Sequence, residues 1–240
     1  MSYFDNFPTL SYTFESGVTI DVRDIFIKVN ASQKNFKNVV HYEKYNIKEG
    51  ERPDVVAAKL YGNSDLYWTF YLVNNFDNFG QWYMGSGEFE KYLGQKYQGQ
   101  WLNASVSTDI VSYNFDSNPP KSEKFLLGEI VSSGAKQAKV LKLDPTHKRV
   151  MVDAESFTAN DIVTGSVSSK SFTVSSVSKT IDGVCYYEND SGIRVNVATA
   201  GYDPVTFYTK EFNDNESKRA IKFINPKNID NVIGDLEDLL

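Results

Sequence analysis

The chain has 240 residues, enough for one large domain or two small ones, and 41% are hydrophobic, so a full core can form. With 25 basic against 31 acidic side chains, a net charge of −6 and no basic block, it is not expected to take nucleic acid as a main partner. One cysteine, Cys185, excludes an internal disulfide, no apolar run has the length of a membrane-spanning helix, and the start MSYFDNFPTL lacks the basic and apolar regions of a signal peptide. The 15 Tyr and 16 Phe fit an aromatic core, a protein-interface surface or a carbohydrate binder, because aromatic rings bury much area and Tyr keeps a polar end.

Residues 1–44 begin with the aromatic SYFDNFPTLSYTF, broken by Pro8. Residues 19–29 (TIDVRDIFIKV) alternate loosely and fit a strand or a short helix. From residue 45 the text YNIKEGERPDVVAAKLYGNSDLYWTFYLVNNF predicts a compact unit. A strand around Tyr45 and Ile47 leads to a charged turn at Glu49, Gly50 and Glu51. Pro53 then opens a helix, where a missing N–H costs nothing, and Asp54 suits the first-turn dipole. Gly62 stops it. Ser64 is placed to cap a second helix over 66–74, which is apolar nearly all round and so expected to be buried.

After a polar turn at 77–80, Phe89, Tyr92, Leu93, Lys96 and Tyr97 share one helical face. No second strand is evident after that helix. Residues 101–126 are polar and irregular, interrupted by Pro119-Pro120, and are expected to form a connector. Residues 127–180 turn to Ser, Thr, Val, Gly and Lys. There GEIVSSGAKQAKVL (128–141) aligns with NDIVTGSVSSKSFTVS (160–175) after a two-residue adjustment, which predicts two strand–turn–strand copies in a small barrel or paired hairpins.

Residues 181–240 add strands at 184–187, 193–197 and 205–208, a hairpin turn at Asn189-Asp190-Ser191-Gly192, and a strand through Ile221 and Phe223. Pro226 breaks the chain, and a terminal helix capped by Asn228 follows. Its Ile229, Val232, Ile233, Leu236 and Leu240 form one apolar stripe. Asp235, Glu237 and Asp238 oppose the dipole at its end, so the helix is expected to dock, either on a partner with basic groups or on this chain's own β region.

No catalytic constellation stands out. His41 and His147 lie in different segments, and GxSxG, HExxH, P-loop and GxGxxG patterns are missing. Two His and one Cys are too few for a closed transition-metal site. Glu49, Glu51 and Asp54 fit a solvated turn and helix N-terminus better than a carboxylate pair. No catalytic residue, metal or cofactor is assigned, and the protein is not expected to be an enzyme.

The phrases EGERPD, AAKLYGNSDLYW and NN resemble the LysM-like core of baseplate wedge proteins from contractile-tailed, T-even-like bacteriophages. The Asp24-Ile25-Phe26 element before them and NESKRAIK (215–222) near the end resemble the same family. The implied fold is α+β: an N-terminal arm (1–44), a βαα LysM-like core (45–100), the connector (101–126), an inserted β-repeat module (127–180), and a β region with a C-terminal docking helix (181–240). Tyr61, Gly62, Asn63, Leu66, Tyr67 and Trp68 carry the family motif. The resemblance implies a structural role in the virion: bridging or clamping neighbouring wedge subunits around the central hub, in multiple copies in a symmetric ring assembled in the host cytoplasm. Hub or tail tube proteins are further candidate partners. The alternative is a LysM-type peptidoglycan or glycan reader using the loops at 49–52 and 74–77.

Overall fold

The computed structural model describes residues 7–24, 42–114, 116, 121–231 and 233–234. The fold is mixed α and β and divides into two compact units, one drawn from residues up to 88 and from 214 onward, the other from 89–213.

In the first unit, β1 (Thr9–Thr13) and β2 (Thr19–Arg23) pair antiparallel, with Leu10 opposite Val22 and Tyr12 opposite Ile20. The loose alternation from residue 19 thus resolves as a strand as far as Arg23. Ile25 and Phe26 lie outside the described residues. β3 (Tyr42–Asn46) leads to α1 (Pro53–Tyr61), which has Pro53 in its first turn and ends on Gly62 at φ 72. That left-handed backbone is where glycine escapes the Cβ penalty. The next turn is capped by Asn63 rather than Ser64. Asn63 is extended and its side chain accepts from the Asp65 N–H at 2.9 Å, whereas Ser64 already belongs to the 3-10 turn Ser64–Tyr67. α2 (Trp68–Asn74) buries Trp68, Thr69, Phe70 and Leu72, as its nearly continuous apolar surface predicts. α3 (Ser86–Lys96) follows, its residues from Phe89 onward belonging to the second unit.

The strands after α3 are β4 (Gln100–Asn103), β5 (Val111–Asn114), β6 (Lys121–Lys124), β7 (Ile130–Ser133), β8 (Lys136–Asp144), β9 (Arg149–Val152), β10 (Ile162–Gly165), β11 (Ser171–Thr173), β12 (Ser176–Lys179), β13 (Val184–Glu188), β14 (Arg194–Val195) and β15 (Asp203–Thr206). Then come α4 (Phe207–Ser217) and β16 (Ala220–Ile224). In the second unit, seven strands form one sheet in the order β11-β10-β7-β8-β9-β4-β12; β14-β13-β15 and β5-β6 make smaller ones. The large sheet is not a closed barrel, because β11 and β12 are its two edges.

Among the described residues, the connector expected at 101–126 carries most of β4 and all of β5 and β6. β4 lies between β9 and β12, with Trp101 and Leu102 at 1% and 0% exposure. A four-residue strand covered on both faces leaves no alternation to read.

The internal repeat is real at the level of single hydrogen bonds. Gly128 and Asn160 both take positive φ, at 84 and 70. Gly128 N–H donates to Val140 O and Asn160 N–H to Val174 O, each at 2.8 Å; Val140 N–H donates to Glu129 O and Val174 N–H to Asp161 O, each at 2.9 Å. Val131 and Val163, one from each copy, are fully buried. β7 and β10 pair antiparallel with Ser132 opposite Thr164, the same position in both copies, so the hairpins are related by a local two-fold. The preceding acids then cross over. Glu129 accepts from Val167 N (3.1 Å), Ser168 N (3.0 Å) and Ser168 Oγ (2.9 Å) in the second copy's turn. Asp161 accepts from Lys136 Nζ (2.6 Å) in the first copy.

The strand missing after α3 comes from the far end of the chain. β16 pairs antiparallel with β3, Ile221 opposite Tyr45 and Ile224 opposite Tyr42. Ile47, Val56, Ala57, Phe70, Trp82, Tyr83, Ile221 and Phe223 form the core beneath. The carboxamide of Asn74 extends this ladder from the helix side: it donates to Lys222 O and accepts from Lys222 N–H, both at 2.8 Å. Past β16, Asn225 caps the turn Pro226–Asn228 by accepting from Lys227 N–H at 3.0 Å. The cap therefore falls before Pro226 and not at Asn228, because proline itself occupies the first turn. Of the C-terminal stripe, Ile229 is buried and Ile233 half-buried; Val232, Leu236 and Leu240 lie outside the described residues.

Candidate assembly interface

The motif residues take distinct places. Tyr61 is half-buried, stacks on Phe70 (centroids 5.7 Å apart) and meets Phe223 edge-on, while its hydroxyl accepts from the Ile224 N–H at 3.2 Å. Burial pushes its phenol pKa up. It thereby ties α1 to the closing strand. Gly62 and Asn63 are exposed and set the turn. Leu66 and Trp68 are buried, and Tyr67 is half-buried, edge-on to Tyr71.

The polar residues near the end of the chain fasten the same unit. Asn215 accepts from Met84 N–H (2.9 Å) and donates to Met84 O (2.8 Å). Lys218 donates to Gly80 O at 2.9 Å. Arg219 pairs with Glu216 at 2.8 Å and lies over the Tyr83 ring, 4.1 Å from its centroid.

The two loops of the glycan alternative are occupied from within. Glu49 accepts from Ser86 N–H, Ser86 Oγ (2.7 Å) and Tyr83 Oη (3.0 Å), and the Ser86 backbone bond leads in holding its pKa below the usual carboxylate range. Burial pushes the Glu51 carboxyl up, but bonds from Lys59, the Lys48 N–H and Tyr45 outweigh it and leave the pKa lowered. Trp82 Nε1 donates to Glu51 O at 2.8 Å, and Asn74 is committed to Lys222. A saccharide would have to displace these bonds, so the geometry gives the glycan reading no support.

In the second unit, the helical face predicted from Phe89 to Tyr97 divides its work. Phe89 and Leu93 are buried. Tyr92, Lys96 and Tyr97 converge on the buried Glu211, at 2.9, 2.9 and 2.7 Å. Burial raises the Glu211 carboxyl, yet these three donors outweigh it and hold its pKa low, while burial and the Glu211 partner push the Tyr97 phenol strongly up. Cys185 is free and half-buried in β13, its thiol pushed up by burial.

Among the described residues, the apolar face of the β1–β2 hairpin is left uncovered. Leu10, Tyr12 and Phe14 on one side, and Val18, Ile20 and Val22 on the other, share a face by strand alternation and are 37–56% exposed. The opposite face is polar: Ser11 donates to Asp21 at 2.6 Å, and the Thr13 and Thr19 hydroxyls meet at 2.9 Å. A two-stranded hairpin is marginal in water by itself. A contiguous exposed apolar face is the usual mark of an interaction surface. The period of two in TLSYTF and VTIDV was available in the sequence; what it does not encode is whether a partner covers the face.

Comparison with known proteins places the same segment. A family model described as base plate wedge protein 53 matches residues 1–118. Baseplate wedge protein gp53 of Enterobacteria phage T4 is 29% identical over 104 residues, 43% of this chain and 50% of the relative. The chain thus spans about half the length of the curated relative it matches. The C-terminal segment that resembles the family, 215–222, lies outside the family-model match. No helix among the described residues is long and apolar enough to cross a membrane. Both matches agree with the resemblance carried by 45–76: over residues 1–118 the chain is similar to T4-like baseplate wedge proteins.

Proposed function

We propose that the protein is a non-enzymatic clamp of the baseplate wedge. It bridges neighbouring wedge subunits around the central hub, in several copies arranged as a ring. The first unit supplies a rigid LysM-like body, a βαα segment closed by β16, and the docking surface is the apolar face of β1–β2. The observation that carries this reading is that face: six large apolar side chains side by side, each a third or more exposed. Covering them completely would gain on the order of 1 kcal/mol per side chain, several kcal/mol together, enough to drive a specific contact. In this reading the motif residues Tyr61, Gly62, Asn63, Leu66, Tyr67 and Trp68 hold the body in shape. The stripe Ile229, Val232, Ile233, Leu236 and Leu240 provides a second contact, toward a basic neighbour.

Incorporation into baseplates tests the reading. Phage lacking this protein are complemented with the Tyr12→Glu/Ile20→Lys variant, and purified tails are probed for it. Loss of incorporation with an unchanged monomer supports the clamp. Normal incorporation removes β1–β2 as the docking surface.

A further inference from the structure

The second unit carries an apolar cleft flanked by lysines. It lies between the loop after β6 and the later part of β8, has a volume of about 410 Å³, and its lining includes Leu126, Leu127, Leu141, Leu143, Lys124 and Lys142. Leu127 is 69% exposed, and Leu126 and Leu141 are 40% and 42% exposed. Two local features produce this exposure. In β8 the register shifts between Val140 and Lys142, so the consecutive Leu141 and Lys142 are both exposed where strict alternation would bury one of them. After β6, the loop holding Leu126 and Leu127 is pinned. Leu126 N–H donates to Glu129 Oε1 at 2.6 Å, Glu129 N–H donates to Leu126 O at 3.2 Å, and Gly128 N–H donates to Val140 O at 2.8 Å. The leucines are thus presented on a fixed frame, which spares a partner the cost of ordering them.

The charges narrow the occupant. Lys59, Lys96 and Lys136 each pair with a carboxylate. Lys124 and Lys142 have no ion pair among the described residues, and neither does Lys139, whose Cε lies beside Gly128. Nucleic acid would answer the lysines and leave the leucines bare. An uncharged apolar face such as that of β1–β2 would cover the leucines and leave the lysines unanswered. A short segment that mixes leucine with carboxylates answers both.

The chain itself contains such a segment. Residues 235–240 read Asp-Leu-Glu-Asp-Leu-Leu, three acids and three leucines, and no other six-residue stretch of the sequence has that content. We propose that residues 235–240 of one copy dock in this cleft of a second copy, with Leu236, Leu239 and Leu240 on its leucines and Asp235, Glu237 and Asp238 against Lys124, Lys139 and Lys142. Cleft and segment are different surfaces of one chain, so the contact is head-to-tail, the kind that closes into rings. The inference rests on the reading of several copies arranged as a ring, and it names the basic neighbour that receives the C-terminal stripe.

The test uses the full chain. The tail variant Asp235→Lys/Glu237→Lys/Asp238→Lys keeps the cleft and disables its own segment. Labelled with 15N, it is titrated with a synthetic peptide of residues 229–240. Saturable shifts are expected at the Leu126, Leu127, Leu141 and Lys142 amides. Adding the cleft changes Leu127→Glu/Lys142→Glu, both at exposed positions, should weaken binding about tenfold or more. In sedimentation velocity the parental chain should gain mass with concentration, while the tail variant and the cleft variant Leu127→Glu/Lys142→Glu each stay monomeric. An equimolar mixture of the two should form a one-to-one dimer, because it restores one competent cleft and one competent segment. No saturable shift at these amides, or shifts confined to other residues, overturns the proposal. Peptide binding with a parental chain that stays monomeric also overturns it, the segment then docking within its own chain. Either failure leaves the β1–β2 face standing, since that is read from incorporation of Tyr12→Glu/Ile20→Lys into baseplates.

Discussion

The hairpins β1–β2 and β7–β8 are both written in alternating apolar and polar residues, and they end in opposite environments. Val131 of β7 is fully buried, while Leu10 and Tyr12 of β1 stand 51% and 56% exposed. The difference lies in what each hairpin can meet. β7–β8 has a duplicate in the same chain, β10–β11, and the two pair about Ser132 and Thr164 with an acid of each copy bonded into the other. Among the described residues β1–β2 has no such counterpart. Alternation creates an apolar face; here one hairpin covers its face by duplication, and the other leaves its face exposed among the described residues.

Breaking the self-satisfied side should cost most. Phe125→Ala empties a fully buried site packed edge-on against Phe172, 5.7 Å away, and is expected to destabilise the second unit by about 3–5 kcal/mol, read as a shift in urea midpoint. In the first unit, Asn74→Ala removes both bonds to Lys222 and should cost about 1–2 kcal/mol in the same measurement.

Acid gives a smaller and more diagnostic effect. The Glu211 pKa is depressed in the fold. Its contribution is therefore present above the ordinary glutamate value of 4.5 and is lost as pH falls below that value through the folded pKa. Unfolding followed from neutral pH down through this window should show a decline that Glu211→Gln largely removes. If the slope is unchanged in that variant, other acids carry it. Smallest of all, Tyr12→Ser on the open hairpin should move monomer stability by no more than about 0.5 kcal/mol, because the ring is more than half exposed.

How much of this was legible follows the range of each interaction. α1 and its end were readable because their signals, Pro53, Asp54 and Gly62, are local. The repeat was readable because GEIV and NDIV preserve a glycine-like turn, an acid and a buried valine in both copies. The cap at Asn63 was missed by one residue, since Asn63 and Ser64 are equally competent and only backbone angles separate them. β4 was missed because burial on both faces erases the pattern. The pairing of β3 with β16 could not be read at all: the intervening unit separates the strands, and nothing in Tyr42–Asn46 specifies a distant partner. For the interface, the alternation in 9–23 was visible, but exposure is a property of the assembled fold.

The central claim is that the β1–β2 face docks the protein in the baseplate, and the most direct measurement compares monomer stability with baseplate incorporation for Tyr12→Glu/Ile20→Lys. The account predicts a monomer with the parental urea midpoint that is missing from purified baseplates. Parental levels of the variant in those baseplates would contradict it.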